Sequence, residues 1–121
     1  MLLRTKLFAL AISLVLAAVP AGAESAYLAD IDDLPLAGGL VEDPAARVVF
    51  DKPAGRIVEA VARGPVTADA VRGFYAQTLP ALGWQAAPGG TWVRGEEQLK
   101  IEIGPAGPPV AVRFSIAPRD Q

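Results

Sequence analysis

At 121 residues the chain has room for one domain. It contains no His and no Cys, which excludes Ser-His-Asp and Cys-His catalysis, imidazole or thiolate metal sites, and disulfide staples. A formal net charge of −2 offers no basic stripe, so neither nucleic acid nor an anionic lipid surface is an expected partner.

The N-terminus reads as a leader. Arg4 and Lys6 precede an apolar run from Leu7 to Val19, then Pro20 and the small-residue site Ala21-Gly22-Ala23. A positive start, an apolar core and an A-x-A site describe a secretory signal peptide cleaved after Ala23. The alternative is a retained anchor, but the run of about 13 residues falls short of the roughly 20 that a spanning helix needs. Losing Arg4 and Lys6 with the leader shifts the net charge from −2 to about −4. The expected location is the periplasm or the exterior. With no cysteine available for lipidation, no stable membrane anchor is expected after cleavage.

Residues 24–46 read as an irregular, acidic arm. Leu34, Leu36 and Leu40 are scattered among Asp30, Asp32, Asp33, Pro35, Gly38 and Gly39 with no sustained period. The leucines are too many for a solvated linker, so part of the arm is expected to dock on its own domain or on a partner. The two cases separate on deletion. A partner-binding arm leaves the melt almost unchanged, whereas an arm in the core takes the fold with it.

The domain proper is expected at 47–121. A short β-prone run at 47–51 is closed by Lys52-Pro53-Ala54-Gly55, and residues 56–63 follow as a central strand with Val58, Ala60 and Ala62 on one face. One amphipathic helix is predicted at about 67–79. Thr67 serves as N-cap, Asp69 lies in the first turn, and Val71, Phe74, Tyr75, Thr78, Leu79 and Leu82 form a stripe. Pro80 should end the regular helix near Thr78 or Leu79, with Gly83 as a left-handed stop. Strands are predicted at 84–87 and 91–94 around Pro88-Gly89-Gly90, then at 98–103 and 110–117. The last two alternate cleanly, and opposing Glu102 to Arg113 sets Ile103 against Val112 and Ile101 against Phe114. The expected class is α+β: a curved, mostly antiparallel sheet of about five to six strands, ordered β-β-α-β-β-β-β, with one helix on one face.

Little in this inventory carries chemistry. Asp30, Asp32 and Asp33 fail a calcium-loop template, because Pro35 and Val41 stand where glycine and glutamate are required. Glu59, Glu96, Glu97 and Glu102 would need a cleft between them to act as a hydrolytic pair. No cofactor is called for, and no catalytic residue is assigned. The aromatics divide: Phe74 and Trp84 read as core, while Tyr75 and Trp92 suit either the core rim or a groove between helix and sheet.

The phrase Phe74-Tyr75-x-x-x-Leu79-Pro80-x-Leu82-Gly83-Trp84 resembles one in small secreted bacterial proteins of unknown function. Asp33-Leu34-Pro35-Leu36 and Phe50-Asp51-Lys52-Pro53-Ala54-Gly55-Arg56 look similar to that group as well. The resemblance implies an envelope location and supplies no catalytic residues. The expectation is a non-catalytic periplasmic binding or interaction module, with a role as accessory to an envelope complex as one form of it and Leu34, Leu36 and Leu40 as candidate partner contacts. The alternative is a carrier of an apolar ligand or peptide at Tyr75 and Trp92; a carboxylate hydrolase comes last. Oligomeric state is left open.

Overall fold

The computed structural model describes residues 26–105 and 107–119, so the leader at 1–23 lies outside the described residues. Among the described residues, seven antiparallel strands form one curved, open sheet with a single α-helix, an α+β architecture. The strands are β1 (Val41–Glu42), β2 (Val48–Lys52), β3 (Gly55–Gly64), β4 (Gln85–Ala87), β5 (Thr91–Arg94), β6 (Glu97–Gly104) and β7 (Val110–Pro118), and the helix α1 spans Ala68–Ala81. β1 and β2 line one edge of β3 in succession, β7 takes its other edge, and β6, β5 and β4 follow outward.

Period-2 alternation decides the registers. Glu102 opposes Arg113, Ile103 opposes Val112 and Ile101 opposes Phe114, the pairing that joins opposite charges and keeps every large apolar side chain on one face. The same face continues through β3, where Val58 opposes Ile116, Ala60 opposes Phe114 and Ala62 opposes Val112. Trp92 opposes Leu99 and Ala86 opposes Trp92. One apolar row thus crosses the sheet from Val58 through Ile116, Leu99 and Trp92 to Ala86.

Thr67 caps α1 as its sequence predicts, its Oγ1 accepting from the Ala70 N–H at 3.1 Å. The helix does not stop before Pro80, however; it runs through it to Ala81. The reason lies in the stop itself. Gly83 takes φ +92°, its N–H donates to the Pro80 carbonyl at 3.1 Å, and the Trp84 N–H donates to the Leu79 carbonyl at 3.0 Å. These two bonds make a Schellman closure, which satisfies the terminal carbonyls and carries the last turn past the proline. Burial of both Leu79 and Trp84 holds it there.

The arm before β1 is not separate from the domain. Leu28, Ile31, Leu34, Leu36 and Leu40 join Val58, Val71, Tyr75, Leu99 and Phe114 in one core. A tight loop makes this burial possible without orphaned backbone groups. The Leu28 N–H donates to the Leu34 carbonyl at 3.1 Å, the Leu36 N–H to the Ala26 carbonyl at 2.8 Å, and the Leu34 N–H to the Ile31 carbonyl at 3.1 Å. At the far end the arm presses on β3 so closely that a Cβ on Gly64 would overlap the Gly39 carbonyl. Only glycine fits there. A domain boundary between 46 and 47 therefore divides what packs as one unit.

Candidate functional site

With the arm and α1 both laid on the inner face of the sheet, cover is complete over β3 and β7 and thin over β5 and the end of β6. Val58, Ala60 and Ala62 of β3 and Val112, Phe114 and Ile116 of β7 are buried, as is Leu99 of β6. Ile101, Ile103 and Trp92 lie on the same face yet stay half-buried. Above them runs α1, which presents Arg72, Tyr75 and Ala76 to the gap. The result is a groove of about 350 Å³ between helix and sheet, lined in part by Gly90. That volume sits at the lower end of the range for small-molecule sites, and a mainly apolar lining with a few polar groups is their usual character.

Tyr75 forms the back wall of the groove rather than an open contact. The residue is 2% exposed; its hydroxyl donates to the Pro35 carbonyl at 2.8 Å and accepts from the Ala37 N–H at 3.2 Å. Its ring meets Phe74 at 4.9 Å and Phe114 at 5.5 Å, both edge to face. Burial pushes the phenol above its ordinary value, the Ala37 N–H opposing this only in part, so Tyr75 stays neutral and serves as the bolt between arm and helix. Trp92 is the wall that faces the opening. Arg72 stands at the rim, paired with Asp69 at 3.0 Å on a side chain 59% exposed. Such an exposed pair carries little stability, so the guanidinium can turn to an anionic group without loss to the fold.

The structure brings Tyr75 and Trp92 together at the groove, whereas the arm leucines join Tyr75 in the core and do not line it. Leu34, Leu36 and Leu40 are buried at 0%, 7% and 5% exposure, and therefore present no surface to a partner. Their placement corrects the expectation of leucine contacts on the arm: the apolar side chains cover this chain's own sheet. Ile101, Ile103, Arg72, Ala76 and Gly90 line the groove and were not singled out from sequence. The signal for the two isoleucines was present in the alternation of β6, but alternation reports the face and not the depth.

Three of the carboxylates each meet one arginine. Asp33 accepts from Arg94 at 2.7 Å, Glu97 from Arg56 at 3.1 Å and Glu59 from Arg113 at 3.4 Å. Hydrogen bonding from Arg94 holds the Asp33 carboxyl below its ordinary range against the opposing effect of partial burial. Arg94 also donates to the Leu82 carbonyl at 2.9 Å, and its guanidinium lies 4.3 Å from the Trp84 ring centroid. One side chain thus ties arm, helix end and β5 together. Among the described residues no three carboxylates converge into a metal cage, and no helix is long and apolar enough to cross a membrane.

Comparison of the chain with protein-family models, curated proteins and solved structures finds no match.

Proposed function

We propose that this protein is a non-catalytic binding module of the periplasm, taking an apolar or amphipathic ligand into the groove between α1 and strands β5 and β6. The observation that carries this reading is the half-buried row Trp92, Ile101 and Ile103 beside the fully covered Leu99, Val112, Phe114 and Ile116 on the same face. Leaving such side chains part-exposed forgoes burial at roughly 25 cal/mol per Å². A ligand recovers that term. Arg72 at the rim favours a ligand with an anionic end, since a carboxylate or phosphate gains a charge-assisted bond there. The proposed periplasmic location rests on the leader read at 1–23 and on the resemblance of the helix-to-strand phrase at 74–84 to small secreted bacterial proteins.

The module is proposed to be non-catalytic because its carboxylates Glu59 and Glu97 each meet an arginine and none lines the groove. The test uses Trp92 as reporter. Trp84→Phe leaves it the single tryptophan, and dodecanoate is titrated below its micelle concentration. A saturable shift of Trp92 emission, lost in Ile101→Asp and weakened several-fold in Arg72→Ala, is expected. Emission that drifts linearly with dodecanoate, equally in all three proteins, would contradict the proposal.

A further inference from the structure

We propose that β2 is a homodimer edge, two copies joining their sheets through antiparallel pairing of β2 with β2 centred on Val49. β2 pairs with β3 on one side and, among the described residues, with no strand on the other. Its three apolar residues Val48, Val49 and Phe50 are 44%, 51% and 46% exposed, and Phe50 continues into Ile57 across the pair. An extended, apolar, unpaired edge is a template for another strand, and proteins that keep one bare usually blunt it with charge or proline. The charges here do something more selective.

A two-fold axis normal to the sheet preserves its faces, so a residue can only oppose one from the same face of the partner strand. This centres the register on a residue, and centring on Val48, Val49 or Phe50 keeps the exposed apolar stretch within the pairing. Centring on Val48 sets Arg47 against Val49 and strands Asp51 beside Ala45. Centring on Phe50 sets Val49 against Asp51 and Val48 against Lys52. Centring on Val49 alone matches like with like and charge with countercharge. Val49 meets Val49, Val48 meets Phe50 twice, and Arg47 meets Asp51 twice. Arg47 has extended backbone, φ −74° and ψ 135°, and so is already shaped to extend the strand. Its Nε donates to Glu42 at 2.9 Å, and the guanidinium fork carries further donors for a partner's carboxylate. In this register the two inner faces lie on the same side of a continuous sheet, and both grooves stay open. Opposite-sign pairs across strands favour the register, and like-sign pairs oppose it.

Sedimentation velocity of the purified protein over a wide concentration range tests the assembly, and cysteine cross-linking tests the register. The chain has no cysteine, so a lone Val49→Cys sits opposite its own copy, while Lys100→Cys in β6 lies far from the edge. The expected results are a weight-average mass that doubles with concentration, a Val49→Lys variant that stays a monomer with an unchanged melt, and rapid covalent dimer formation by Val49→Cys alone. A single-chain mass at every concentration would overturn the proposal, whether β2 then stays bare or takes another protein's strand. So would cross-linking as fast at Lys100→Cys as at Val49→Cys.

Discussion

Two side chains, Tyr75 and Arg94, hold the arm to the rest of the molecule, and each fails in its own way. Tyr75→Phe keeps the ring packing but leaves the Ala37 N–H and the Pro35 carbonyl unpaired inside the core. An unsatisfied buried group costs about 1–3 kcal/mol, which for a domain of this size lowers the melting temperature by several degrees as read by circular dichroism. Arg94→Ala loses a stacked cation and charged hydrogen bonds at once, and should cost about 2 kcal/mol. Its acidic partner adds a pH signature. Because the folded Asp33 carboxyl titrates below its ordinary value of 3.8, its contribution is fully present above that value. It is lost as the pH falls through the lowered one. Asp33→Asn should therefore flatten the acid limb of the stability profile, with a loss near neutrality of only about 0.5–1 kcal/mol, since the pair is part-exposed. An acid limb as steep as the parent's would deny Asp33 that role.

At the scale of elements, the most regular segments are the ones that sequence foretells. β6 and β7 alternate without interruption, so face, partner and register follow from side-chain period and charge. The N-cap at Thr67 is equally local. The end of α1 is harder to foresee, because the cost of Pro80 is visible in the sequence whereas the Schellman bonds that outweigh it depend on Trp84 entering the core. Gly83→Ala tests that closure: a left-handed backbone with a side chain costs about 1–2 kcal/mol, and the new Cβ would lie 3.3 Å from Arg94. The arm escapes sequence analysis for a different reason. Its leucines follow neither period, since a loop buries side chains by hydrogen-bonding its own backbone rather than by presenting a face. Burying five large apolar side chains contributes about 1.5–3 kcal/mol each, together comparable to the whole 5–15 kcal/mol stability of a small domain. Removal of residues 24–46 should therefore abolish cooperative unfolding altogether, and a truncated protein that still melts sharply would return the arm to the role of an appendage.

At the scale of the molecule, the groove over Trp92 and, among the described residues, the bare outer edge of β2 are left unfinished, and they point in different directions from the same sheet. That a groove exists could be suspected from Tyr75 and Trp92, but which of them faces it could not, because depth depends on how far α1 and the arm extend over the sheet. Tyr75 went to the bolt and Trp92 to the opening. The most direct measurement is native mass spectrometry of the protein purified from its own host under gentle conditions, beside an Ile103→Asp variant of equal melting temperature. A discrete added mass in the parent that is absent from the variant is the expected result. A bare chain mass for both, or the same added mass on both, would contradict a ligand held between α1 and β5–β6.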